Sequence, residues 1–172
     1  MNDGPSILVI GLGNPLRGDD GIGWSAVDRL AAMFTEDSSK VELTKGKRVE
    51  FVKCRELMPE VSESVSKAEH VLFIDGAVET GNGIMDEEIM VPAETVPLVE
   101  THLLDPAGIL AFSKSLYGNA PPAVMLTAKV ESFEYREGLS QKAQRAVGLL
   151  VDRAGELLND WLGESSTTVL DN

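Results

Sequence analysis

The chain is predicted to form an α/β fold, a single three-layer domain with a mainly parallel twisted sheet and helices on both faces. Three observations carry this expectation. Two short, wholly apolar runs, Ile7 to Ile10 and Val71 to Ile74, each break off at a glycine or at Asp75-Gly76, as strands buried on both faces do. Stretches with helical spacing of apolar residues alternate with these runs and give the order β-α-β-α-β. The connections are short, so successive strands return parallel through right-handed crossovers, which cover both faces of the sheet.

Each element has a local reason. After Ile7 to Ile10, residues Val27, Leu30, Ala31 and Phe34 recur at helical spacing; Val49 to Cys54 then reads as a strand, and Leu57, Val61, Val65 and Ala68 as a second helix. Ile84 to Val91 follows Gly81-Asn82-Gly83 as a weaker strand, placed at an edge because Asp86, Glu87 and Glu88 need solvent. Asp105 supplies an N-cap and Pro106 a first-turn proline for a helix to about Leu116, stopped by Gly118 and Pro121-Pro122. Val124 to Val130 is a further apolar strand. Ser140 caps a last helix whose Ala143, Val147, Leu150, Ala154, Leu157 and Trp161 form one apolar stripe. Residues 1–163 are assigned to the domain and 164–172 to a frayed polar tail.

Composition narrows the function. Of 172 residues, 28 are Asp or Glu and 15 are Lys or Arg, a formal net charge of −13. Phosphate backbones and anionic lipid would repel such a chain, so neither nucleic acid nor a membrane surface is expected as a partner. No apolar run approaches the roughly 20 residues that span a bilayer, and no basic segment precedes the first run, which points to the cytoplasm. The single cysteine, Cys54, cannot form an internal disulfide or a thiolate cage, and no histidine base is apparent beside it, so it reads as a small buried hydrophobe. Trp24 and Trp161 read as packing residues, and the acidic run at Asp86 as a solvated strand.

The most informative segment runs from Gly11 to Gly23, between the first strand and the first helix. Its glycines and Asn14 allow positive φ and a close approach of backbone to ligand. It is not a dinucleotide fingerprint: Leu16 stands where the third glycine belongs, and Asp19-Asp20 would oppose a pyrophosphate. Two carboxylates at a helix start also fit a merely capped turn. Asp75 ends the third strand at the same carboxyl edge of the sheet, where open α/β folds bind ligands. Of the two histidines, His70 lies at the opposite end and reads as a surface residue, whereas His102 lies in a loop that can reach the crevice. Together Asp20, Asp75 and His102 would offer two hard oxygen ligands and an imidazole, with positions left open for water or substrate.

These residues resemble the nickel-iron hydrogenase maturation endopeptidases. Gly11 to Gly23 matches that family's Gly-x-Gly-Asn-x-Leu-x-x-Asp-Asp/Glu-x-x-Gly signature, and the similarity continues at Val71 to Asp75, at His102 with Leu103 to Pro106, and from Leu116 to Pro122. The resemblance implies an endopeptidase that removes the C-terminal extension of a hydrogenase large-subunit precursor after nickel insertion. Nickel held by the precursor would be the recognition element, contacted by Asp20, Asp75 and His102. Peptide hydrolysis also needs an activated water, and with no Ser-His-Asp or Cys-His arrangement evident, Asp20 or Asp75 is expected to assist it as the catalytic carboxylate. Lys53 to Pro59 departs from the Asp-Gly-Gly-Thr type of loop and resembles the subgroup that serves cytoplasmic cofactor-linked hydrogenases.

Two other readings stand beside it. Peptidyl-tRNA hydrolases also run from a first strand into Gly-Leu-Gly-Asn-Pro, but need a histidine soon afterwards and a basic RNA-binding face; no histidine precedes His70 here. A noncatalytic module that docks a precursor without cutting it would be favoured by loss of the trio Asp20, Asp75 and His102, and all three are present.

Overall fold

The structure, a computed structural model, describes residues 5–36, 47–78, 80, 83–96, 104–131 and 133–164. Five strands, β1 (Ile7–Leu12), β2 (Val49–Cys54), β3 (His70–Ala77), β4 (Met85–Met90) and β5 (Ala123–Lys129), form one sheet in the order β2-β1-β3-β5-β4. The first four in that order run parallel, and β4 closes the far edge antiparallel to β5. The expected α/β class and mainly parallel sheet are present.

Side-chain alternation along these strands makes two cores. Ile7 and Val9 of β1 lie with Leu72, Ile74, Val124 and Leu126 beneath α1 (Ile22–Glu36) and α4 (Gln141–Glu164). Leu8, Ile10 and Leu12 lie with Val71 and Phe73 on the opposite face, beneath α2 (Val61–Lys67) and α3 (Pro106–Tyr117). All six residues of β1 are buried, which is why that strand is continuously apolar rather than alternating.

The helix ends follow their capping residues. Asp105 Oδ1 accepts the Gly108 N–H at 2.7 Å, Pro106 opens α3, and Gly118 ends it at φ 78°. Ser140 Oγ accepts the Ala143 N–H at the start of α4.

Three local expectations are corrected. Leu57 is not on the second helix; Pro59 delays that helix to Val61, and Leu57 instead forms an isolated antiparallel bridge with Leu104. His70 is not a plain surface residue, because it begins β3 half-buried with its ring stacked on Trp161 at 4.9 Å. The acidic run on β4 does more than meet solvent: Glu87 holds both Nε and Nη2 of Arg153, at 2.6 and 3.0 Å, and ties the edge strand to α4.

The approach of α1 to the sheet is limited by glycine. A Cβ on Gly23 would run into the carbonyl oxygens of Leu12 and Ile74, and one on Gly11 into the backbone of Gly23. Neither obstacle is a flexible side chain. Gly23→Ala should therefore lower stability by about 3 kcal/mol or more, whereas Gly148→Ala, inside α4 with nothing within 4 Å of the new methyl, should raise it by about 0.5–1 kcal/mol. Urea unfolding of the two variants checks both signs.

Candidate active site

The connection from β1 to α1 folds back on itself. Gly13 sits at φ 114°, and a side chain there would collide with the Asp20 carbonyl, so both the dihedral and the space demand glycine. Asn14, contrary to expectation, does not take positive φ; its Oδ1 accepts the Leu16 N–H at 3.1 Å and its carbonyl accepts the Arg17 N–H at 2.9 Å, which makes the turn. A short 3-10 turn over Gly18–Gly21 then delivers the two adjacent aspartates to different places.

Asp19 points inward and is 2% exposed. Its carboxylate accepts the Ser140 N–H at 2.7 Å, the Ser140 hydroxyl at 2.8 Å and Arg136 Nη2 at 2.9 Å. Burial works against its charge, but the Ser140 backbone and hydroxyl bonds and the Arg136 pair outweigh it and hold the carboxyl below its ordinary range. Asp19 is thus a structural strut between the first loop and the start of α4.

Asp20 turns the other way. Its Oδ2 accepts the Asn14 N–H at 3.0 Å, and it lines a cavity of about 280 Å³ together with Asp75. The pairing follows from the sheet: β1 and β3 are parallel neighbours with Gly11 opposite Ile74, so the chain beyond each reaches the same edge. Asp75 shares strand parity with Val71 and Phe73, which puts it on the α2–α3 face with Leu12.

Burial pushes the Asp75 carboxyl up to about 6; the Gly76 N–H, at 2.7 Å, pulls it down, and the neighbouring Asp20 charge raises it further. Burial, with the nearby Asp20 charge as a lesser cause, therefore disfavours ionisation of Asp75, a cost that a bound cation or a retained proton relieves.

The rest of the wall comes from the loop after β2 and the start of α3: Arg55, Glu56, Leu57, Leu104, Asp105 and Pro106. The Cys54 carbonyl, where that loop begins, accepts the Gly13 N–H at 3.1 Å and Trp24 Nε1–H at 3.0 Å. Trp24 is accordingly a tether as well as a packing residue. Cys54 is half-buried, and burial pushes its thiol up, consistent with a packing role rather than a nucleophile.

Of the residues expected at the site, Asp20 and Asp75 come together; His102 lies outside the described residues. Among the described residues no group of three His, Cys, Asp or Glu side chains is placed to hold a metal ion. The carboxylate pair is a fitting hard-oxygen half of such a donor set. Sequence reasoning missed the division of labour between Asp19 and Asp20, whose signal lies more than a hundred residues away at Arg136 and Ser140. It also missed Arg55, Glu56 and Met125 as cavity walls, for which no local pattern exists.

The fold has solved counterparts. The chain is similar to the [NiFe] hydrogenase maturation protease HycI from Thermococcus kodakarensis KOD1, with 24% identity, a TM-score of 0.61, and 93% of this chain and 94% of that one covered. It is similar to the hydrogenase maturating endopeptidase HybD from E. coli, with 21% identity, a TM-score of 0.65, and coverage of 90% and 92%. A hydrogenase 2 maturation peptidase from Thaumarchaeota archaeon SCGC_AB-539-E09 shares 22% identity, with a TM-score of 0.57 and coverage of 88% and 97%. At these identities the likeness establishes a shared fold over nearly the whole chain. No protein-family model matches the chain, and no curated protein does.

Two stability measurements separate the aspartates. Asp19 has its folded-state pKa depressed, so its contribution is present above the ordinary carboxylate value of 3.8 and is lost as pH falls through the folded value. Asp19→Asn should destabilise at pH 7 by on the order of 2 kcal/mol, with the gap closing in acid. Asp75 has its folded-state pKa raised, so ionisation destabilises the fold progressively from about pH 4 to pH 6 and fully above that. Asp75→Asn should therefore stabilise the chelator-treated protein at pH 8, by at most about 3 kcal/mol, and leave it unchanged below pH 4. Thermal unfolding across pH reads both.

Proposed function

We propose that this chain is a hydrogenase maturation endopeptidase. It removes the C-terminal extension of a nickel-iron hydrogenase large-subunit precursor once nickel is in place, and it does so in the cytoplasm. The observation that carries this reading is the convergence of Asp20 and Asp75 in one cavity at the carboxyl edge of a sheet whose fold is that of solved maturation proteases. No helix among the described residues is long and apolar enough to cross a membrane, which agrees with a freely diffusing partner.

The cavity suits a cation-bearing substrate. Its walls include the carboxylates of Asp20, Glu56, Asp75 and Asp105 against one guanidinium, that of Arg55. Asp105 is occupied as the α3 cap, and Asp20 and Asp75 are left with oxygens free to face a ligand. Nickel in the precursor would be met by Asp20, Asp75 and, from the sequence resemblance, His102; it would present the polypeptide beside the carboxylates at the correct stage of assembly.

Hydrolysis then needs a proton acceptor. Asp75 takes the proton of the attacking water as the new C–O bond forms, and returns it to the amide nitrogen as the C–N bond breaks. Asp20 orients the metal-bearing end of the substrate. The chemistry requires neither a thiol nor a hydroxyl nucleophile.

Wild type should convert a nickel-loaded precursor to the mature large subunit, read as the loss of C-terminal mass, and should leave the nickel-free precursor intact. Asp75→Asn, Asp20→Asn and His102→Ala should each slow cleavage by about a hundredfold or more while remaining folded. Equal cleavage of the nickel-free precursor would sink nickel recognition, and full activity in Asp75→Asn would remove the assigned base.

A further inference from the structure

We propose that Arg55 is a catalytic residue of this peptidase, its guanidinium donating hydrogen bonds to the scissile carbonyl oxygen as negative charge develops there; the inference rests on the endopeptidase reading above. Arg55 lines the same cavity as Asp20 and Asp75. Among the described residues its side chain forms no ion pair and no hydrogen bond, although the carboxylates of Asp20, Glu56, Asp75 and Asp105 line the same cavity. Three of those carboxylates take backbone partners instead: Asn14 for Asp20, Gly76 for Asp75 and Gly108 for Asp105. The guanidinium is thus uncommitted on a cavity whose lining also includes Asp20 and Asp75.

Its position is fixed by the chain on either side. Immediately before Arg55, the Cys54 carbonyl is held by two donors, Gly13 N–H and Trp24 Nε1–H. Two residues after it, Leu57 is 3% exposed and bridged to Leu104 at the mouth of α3. A loop anchored at both ends holds Arg55, an exposed long cation, on the wall of the cavity.

The reaction calls for such a group. When water adds to the amide carbon, the carbonyl π pair moves onto oxygen, and the water proton goes to Asp75; when the C–N bond breaks, that pair reforms the carbonyl and the proton leaves on the amine. Carboxylates can carry the proton, but they repel the oxyanion. The Gly13, Asn14, Gly76 and Gly108 amides near the cavity are all committed to partners, so they do not supply an oxyanion hole. A guanidinium, always charged and carrying five donors, serves where carbonyl charge grows.

The test compares Arg55→Ala, Arg55→Gln and Arg55→Lys with wild type on the nickel-loaded precursor. Both neutral variants should lose about 10²–10³ in kcat with KM changed less than about threefold, and Lys should recover part of the loss. Added guanidinium chloride at millimolar concentration should restore activity to Arg55→Ala and leave wild type unaffected. Thermal unfolding should be unchanged in all three, because Arg55 makes no bond that the fold uses. Near-wild-type kcat in Arg55→Ala, or a loss confined to KM, overturns this role while leaving the endopeptidase reading intact. A wild type that cuts no nickel-loaded precursor overturns both.

Discussion

The absence of side chains at Gly11, Gly13 and Gly23 is the constraint on which the rest depends. Without a Cβ at Gly11 and Gly23, α1 can lie against the carboxyl ends of β1 and β3 until backbone meets backbone. Without one at Gly13, the loop between can fold onto the Asp20 carbonyl. The two aspartates that follow are consequently held by main-chain geometry, which has few soft degrees of freedom, instead of by long side chains that could swing. Placing Asp20 against Asp75 is a result of that tight turn.

Electrostatics then divides three neighbouring acids by what they can find nearby. Asp19 is almost wholly buried yet ionised, because three donors from Ser140 and Arg136 replace its lost water. Asp75 has one backbone donor and a like charge beside it, so burial prevails and its carboxyl is pushed up. Asp105 is consumed by the start of α3. The fold therefore uses the same residue type as strut, as cap and as a buried carboxyl whose pKa is pushed up, and the partners within hydrogen-bonding distance decide which.

The same loops that build the cavity also tie the layers together. Asp19 joins the first loop to α4, and the Cys54 carbonyl joins the end of β2 to both the first loop and α1 through Trp24. Leu57 and Leu104 connect the loop after β2 to the entry of α3. Site and scaffold are thus a single network, with Asp20 and Asp75 at its centre and the burial cost of the Asp75 charge offset by the surrounding cores. A carboxyl pushed up by burial beside a second acid is suited to receive a cation or a proton.

By itself the sequence determined the class of fold and the edge of the sheet where chemistry would gather. Apolar runs at Ile7 and Val71 are local signals, because burial on both faces leaves a strand no polar position; Asp105-Pro106 and Ser140 announce their helices for equally local reasons. Asp20 and Asp75 were legible because strand ends in parallel neighbours must share an edge. Tertiary structure alone decided that Asp19 is a strut, that Leu57 is a bridge, that Glu87 fastens β4 to α4, and that Arg55 lines the cavity of Asp20 and Asp75. Each of these depends on a partner brought near by the packing of distant elements, and a partner 47 or 117 residues away leaves no periodicity or spacing for a sequence to display.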